Sequence, residues 1–252
     1  LTLDSEEISK LIDYLETHYE PFKRGVDKFI PLTGSIEEKN IEHLRELICN
    51  PDKTALTDFL LSNDIVPEEL HKMFVHRKKL SAIQEFETML GEDLTEPRWQ
   101  KWFEENTWVL CTDFVRSLEE RDIDTHNISD FLLQAYDGFL DFVEIKRPSG
   151  TLKFWADSKD HDNYVPHQDL VKAITQTSKY VFELEQEANS VKFLKRVGGV
   201  GVIKPRAILI FGRSCDWNDE QKNSFRILNA SYHNLTIMTY DHILARAKKM
   251  VE

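Results

Sequence analysis

Asp130, Glu144 and Lys146 put two carboxylates and an ammonium into one short stretch, SDFLLQAYDGFLDFVEIKR (Ser129–Arg147). Phe131, Leu132 and Leu133 begin one apolar run, and Phe142, Val143 and Ile145 lie in a second. Asp137-Gly138 stands between them, and Asp-Gly between two apolar runs predicts a β-hairpin. The loop length decides which side chains meet. A two-residue Asp-Gly loop sets Asp130 opposite Ile145 and turns Glu144 and Lys146 to the other face. A three-residue loop, Tyr136-Asp137-Gly138, ends on a glycine in the left-handed conformation, which glycine adopts at little cost. Asp130 then falls opposite Glu144, and Lys146 shares that face because side chains alternate along a strand. We favour the second register, since an ordinary structural hairpin has little reason to gather these three groups. Two carboxylates a few ångströms apart repel unless something positive lies between them. A hard divalent cation fits there, with waters and a phosphate completing its oxygen shell. A lysine beside such an ion can orient or help deprotonate an attacking water, which is phosphodiesterase chemistry. The plain alternative is a solvated strand face with one surface ion pair, and D…ExK alone is too short a string to choose.

Several elements are needed to hold such a site. Thr95-Glu96-Pro97 reads as a helix start, with threonine as cap and proline in the first turn. Trp99, Trp102 and Phe103 form the core stripe of that helix, while Glu96 and Gln100, one turn apart, share another face. Cys111 to Leu118 is expected to be the first strand or its approach. After Lys146, Arg147-Pro148-Ser149-Gly150 stops the hairpin, and residues 151–166 read as an irregular loop near the substrate. His161 lies there between Asp160 and Asp162, but neighbouring residues converge poorly on one metal. Gln168 to Glu187 is the best helix, with Leu170, Ala173, Ile174, Thr177 and Val181 buried. Gln176 and Tyr180 lie on one stripe of it, and a glutamine there could donate to a phosphate or to the attacking water. Val197–Gly201 is glycine-rich but lacks the Gly-Lys-Ser/Thr of a nucleotide loop. With Lys192, Lys195, Arg196, Lys204 and Arg206 around it, this loop is expected to meet a phosphate backbone. Ala207–Phe211 is a continuous apolar run suited to a buried central strand. A helix at Asp219–Ala230, a strand at Leu235–Thr239 and a last helix from Tyr240 complete the region. The pattern from residue 95 is thus an α/β sandwich around a mixed sheet.

Residues 1–94 read as helical, with no chemistry of their own. Ile8, Leu11, Ile12 and Leu15 are spaced for a first helix, Ser35 opens a second, Thr57 to Asn63 is a third, and Pro67-Glu68-Glu69 opens a fourth running to Leu90. Gly91-Glu92-Asp93 is the expected junction, giving a helical N-terminal region (1–94) for regulation or oligomerisation and a second domain (95–252). The net charge of −12 is uneven: 11 Lys+Arg face 20 Asp+Glu in residues 1–94, and 21 face 24 in the remainder. So acidic a chain does not hold nucleic acid by bulk charge and would need a local basic surface or a bound cation. No apolar run approaches the roughly 20 residues of a membrane helix, so no membrane partner is expected. The opening LTLDSEEISK is acidic, unlike a signal or transit peptide, and its lack of an initiator methionine suggests a fragment or a processed chain. Cys49, Cys111 and Cys215 are far apart, in no ligand spacing, and read as reduced thiols of a cytoplasmic protein.

Asp130, then Glu144-Ile145-Lys146, then Gln176 and Tyr180 on the following helix, resemble the PD-(D/E)xK nuclease superfamily with a RecB-like Gln-x-x-x-Tyr element. Serine at 129 replaces the proline of the first motif and spares the carboxylate. More narrowly, residues 95–252 resemble the C-terminal domain of Shedu antiphage defence proteins. The likeness rests on EPRWQKWFEEN, the hairpin ending VEIKRP, AITQTSKY, ILIFGRS and ILNASYHNLTIMTYDHILARAK, in that order. The resemblance implies a restriction-endonuclease-like core, a mixed sheet flanked by helices. It implies that Asp130, Glu144 and the main-chain carbonyl of Ile145 bind Mg²⁺ or Mn²⁺. Lys146 would position or activate water, Gln176 would support the nucleophile or a phosphate, Glu96 would be the first-helix acid, and Tyr180 would be structural. It further implies hydrolysis of phage or plasmid DNA, leaving a 5′-phosphate and a 3′-hydroxyl, by a homo-oligomer, a tetramer in this reading. A catalytically silent DNA-binding scaffold on the same fold, or a restriction or repair nuclease, are the alternatives.

Overall fold

The computed structural model describes residues 4–18, 68–110, 113–118, 122–123, 128–148 and 152–252. The chain divides into two compact units, residues 1–71 and 72–252. In the first unit α1 spans Ser5–His18, as the Ile8, Leu11, Ile12 and Leu15 spacing predicts. Asp4 caps it, its carboxylate accepting from the amides of Glu6 and Glu7 at 2.9 and 2.8 Å, which satisfies two amides that lack helical partners. The helices expected after Ser35 and at Thr57–Asn63 lie outside the described residues.

Helix α2 spans Glu68–Leu90. From its later turns Ala82, Ile83, Phe86 and Met89 enter the same apolar cluster as Trp99, Trp102 and Phe103 of α3 (Glu96–Glu105). Phe86 lies 4.7 Å from the Trp102 ring and 5.3 Å from Trp99. The later turns of α2, which precede the expected junction at 94/95, thus help bury the α3 aromatics. Helical periodicity shows which face of α2 is apolar but not which core receives it.

Five strands form one sheet in the order β1 (Phe114–Ser117), β2 (Phe131–Ala135), β3 (Leu140–Ile145), β4 (Ala207–Ile210) and β5 (Leu235–Met238). The first three form an antiparallel meander, and β3–β4 and β4–β5 are parallel. Parallel neighbours need crossover connections. Helices α4 (Gln168–Glu187) and α5 (Val191–Arg196) lie in the first, and α6 (Asp219–Ala230) in the second. The chain then closes with α7 (Tyr240–Lys249). The sequence reading missed α5, a helix of six residues that ends at a glycine turn.

Alternation along the strands separates two cores. Leu132, Leu140, Phe142, Ala207 and Leu209 pack with Leu170, Ala173 and Val181 of α4. Phe131, Leu133, Val143, Ile145 and Ile210 pack with the α2 and α3 aromatics and with Tyr240 and Ile243 of α7. Strands covered on both faces read as continuous apolar runs, which explains Ala207–Phe211. This is the expected α/β class, a five-stranded mixed sheet flanked by helices and preceded by helical sequence. Among the described residues no helix is long and apolar enough to cross a membrane.

Candidate active site

The hairpin adopts the three-residue loop. The Ala135 amide donates to the Phe139 carbonyl at 2.8 Å, and the Gly138 amide donates to the Ala135 carbonyl at 2.9 Å. Gly138 has φ +88°, the left-handed conformation in which a Cβ would be strained. Phe131 pairs with Val143 and Leu132 with Phe142, so one further step sets Asp130 opposite Glu144. The Ile145 amide donates to Asp130 Oδ2 at 2.7 Å, closing the open end of the hairpin.

Alternation turns Glu144 to the face of Phe142, towards α4. Its side chain is buried, with residue exposure of only 3%. Oε1 accepts from Lys146 Nζ at 2.7 Å. Oε2 is buried and has no hydrogen-bond partner among the described residues. Burial, then the charge of Asp130, push the Glu144 carboxyl up to about 7, against the opposing pull of Lys146. Burial lowers the Lys146 pKa, but attraction to Glu144 and Glu96 outweighs it and holds the ammonium above its ordinary value. Glu96, at the first turn of α3, approaches Lys146 Nζ to 3.7 Å. A buried carboxylate with one partnered and one orphaned oxygen, beside a second carboxylate, is costly unless a cation completes it.

Helix α4 brings two more expected residues to this side of the sheet. Gln176 Nε2 donates to the Tyr180 hydroxyl at 2.8 Å, and the Tyr180 ring centroid is 6.3 Å from that of Phe142. Burial raises the Tyr180 pKa, the bond from Gln176 lowers it, and the Glu144 charge raises it further. Asp130, Glu144, Lys146 and Glu96 thus form one interacting group, with Gln176 and Tyr180 alongside. His161 is outside the group: it is exposed and pairs with Asp160 at 2.9 Å.

One residue near the site carries no sequence signal for chemistry. Tyr240 begins α7, is fully buried, and its ring centroid lies 4.7 Å from that of Trp99. Its hydroxyl has no hydrogen-bond partner among the described residues. Burial, then the charges of Glu96 and Asp130, raise its pKa well above the ordinary value. In sequence it reads only as the start of the last helix.

The cations around the glycine-rich loop are partly engaged within the fold. Gly198 and Gly199 have φ +68° and +81°, but three of its five expected phosphate-facing cations serve the fold. Lys204 pairs with Glu185 at 2.9 Å and Arg206 with Asp141 at 2.7 Å. Arg196 donates to the carbonyls of Asp122 and Ile123 at 3.0 and 3.3 Å. The acceptors are distant in sequence, so the local run of cations gave no sign of them.

The donors test whether a divalent cation fits. Among the described residues no group of three or more His, Cys, Asp or Glu side chains is arranged to hold a metal. A site of two carboxylates and one main-chain carbonyl does not require such a group, and the orphaned Glu144 Oε2 is the kind of oxygen it needs. The residues present fit a hard cation.

A meander leading into parallel strands, flanked by helices, is a mixed α/β architecture consistent with a nuclease-like fold. The model of the family described as "Shedu protein SduA, C-terminal" matches residues 93–244. The Shedu protein SduA of Bacillus cereus (strain B4264) is 25% identical over 276 residues, an alignment covering 99% of this chain and 68% of that protein. The chain belongs to the Shedu family of antiphage defence proteins.

Proposed function

We propose that this defence protein is a metal-dependent deoxyribonuclease. One observation carries the reading: Glu144, buried opposite Asp130, gives one oxygen to Lys146 and leaves the other without a partner among the described residues. Asp130, Glu144 and the Ile145 carbonyl would hold Mg²⁺ or Mn²⁺. When bound, such an ion supplies Lewis acidity at a phosphate and lowers the pKa of water. Lys146, hydrogen-bonded to Glu144 at 2.7 Å, would position or activate the attacking water. Glu96 adds a second carboxylate 3.7 Å from Lys146 Nζ. Gln176, steadied by Tyr180, supports the nucleophile or a neighbouring phosphate. Water attacks phosphorus in line, forming the new P–O bond as the bond to the 3′ oxygen breaks, which leaves a 5′-phosphate and a 3′-hydroxyl.

The family likeness supports phage or plasmid DNA as substrate, a cytoplasmic setting and a homo-oligomer, read as a tetramer, which light scattering would measure directly. The nuclease is tested with linear and circular plasmid in Mg²⁺, Mn²⁺ or EDTA, comparing wild type with Glu144→Ala. Cutting or nicking that requires metal and disappears in the variant is the expected result. DNA binding without cleavage in every metal would mark a silent scaffold.

A further inference from the structure

One flank of α4 carries an open groove of about 470 Å³ lined by Val171, Lys172, Thr175, Gln176, Lys179 and Tyr180. Five of the six side chains there end in hydrogen-bond donors and none is acidic, although acids outnumber bases by 12 in the chain. Lys172 and Lys179 are exposed, and neither forms an ion pair among the described residues. This differs from Lys204 and Arg206, whose charges are taken up by Glu185 and Asp141. The groove also shares Gln176 and Tyr180 with the catalytic surroundings, and the charges of Glu144, Lys146 and Asp130 reach the Tyr180 hydroxyl. Lys172 precedes Gln176 by one turn and Lys179 follows it by one. The two ammonium groups thus stem from points about 10.5 Å apart along the axis, the rise of about three nucleotides of one strand.

We propose that this groove is the track of one DNA strand, with Lys172 and Lys179 holding the phosphates that flank the one addressed by Gln176. The inference rests on the nuclease reading and adds the path of the substrate to it. Contacts of this kind position the strand without reading its sequence. Val171 and Thr175 give the track an uncharged floor, and the Thr175 hydroxyl is turned back to the Val171 carbonyl at 2.8 Å.

The test is binding of a fluorescent DNA in EDTA, followed by anisotropy across about 50 to 200 mM salt. Removing two phosphate contacts in Lys172→Gln/Lys179→Gln should make the slope of log K against log salt shallower by about 2, whatever the DNA sequence. Lys172→Arg/Lys179→Arg should restore the slope. Lys222→Gln/Lys249→Gln removes the same charge from lysines already paired with Asp219 and Glu252 and should keep the wild-type slope. In cleavage assays the loss should fall on KM more than on kcat. A wild-type slope in the Lys172/Lys179 double variant, or an equal change in the control, overturns the track. Wild-type cleavage with an unmoved slope removes the track alone. Salt-dependent binding that responds to the double variant, without cleavage in any metal, removes the nuclease reading and leaves the track. No DNA binding by wild type removes both.

Discussion

Two acid–base pairs follow neighbouring parallel strands, and they are built in opposite ways. Near the end of β3, Glu144 meets Lys146 at 2.7 Å; just beyond β4, Asp241 meets Arg213 at 2.9 Å. Asp241 is saturated. Its Oδ1 accepts from Arg213 Nε and Nη2, and its Oδ2 from Nε and from the Ser214 amide at 2.6 Å. Arg213 uses Nη1 as well, on the Leu90 carbonyl at 3.1 Å. Burial alone would raise the Asp241 pKa, but these bonds win and hold it below its ordinary 3.8. Glu144 has one bond, an orphaned oxygen and a carboxyl pushed up to about 7. An ion pair that holds a fold is closed, with every lone pair used. The pair at Glu144 is left open, and perturbed carboxyls of this kind cluster at functional sites.

Substitutions can break this contrast. The largest effect is expected from Lys146→Ala, which should cut metal-dependent cleavage by about 10²-fold or more while the far-ultraviolet circular dichroism stays that of wild type. Cutting at the wild-type rate would remove Lys146 from the mechanism. Asp241→Asn should cost about 2 kcal/mol in urea unfolding at pH 7, the scale of charge-assisted bonds in a partly buried pair. The pH dependence has a definite sign. A carboxyl whose folded pKa is depressed contributes stability above its unfolded value, and that contribution fades as pH falls through the folded value. The gap between wild type and Asp241→Asn should therefore be full at pH 7 and narrow below about pH 4. A gap that widened in acid would contradict the saturated-pair reading. The smallest effect is the most discriminating: Glu144→Gln should unfold within about 1 kcal/mol of wild type, or above it, because it relieves a buried charge. If Glu144→Gln destabilised the protein as much as Asp241→Asn does, the open pair would be a structural one.

The open pair was legible in sequence and the closed pair was not. Asp137-Gly138 fixed a short loop, the left-handed glycine chose its length, and period-two counting then placed Asp130 opposite Glu144. All of that information lies within one hairpin. Arg213 and Asp241 are 28 residues apart in sequence, and no local pattern couples them. The same limit holds at the glycine-rich loop, where Arg206 pairs with Asp141 from 65 residues away. Glu96 entered the site only through family resemblance, since an acid in the first turn of a helix is ordinary capping chemistry. Tyr240 could not be singled out, because an orphaned hydroxyl is a property of its surroundings. The α4 helix was readable to its ends, since Leu170, Ala173, Ile174, Thr177 and Val181 keep strict helical spacing over its length.

The tight loop at Tyr136–Gly138 also sets a chronology. Asp130 and the Ile145 amide it accepts from are 15 residues apart, a closure that hairpins complete in about 1–10 μs. The parallel pairing of β3 with β4 waits on a far longer excursion of chain, and such non-local contacts form slowly. Contact order therefore predicts that the two carboxylates meet early in folding, while that edge of β3 is still open to water. Their mutual repulsion is met first in a solvated ribbon, where it is weak, and grows only as α4 and β4 close over it. The nascent protein passes its electrostatic difficulty late, at the moment the sheet is completed.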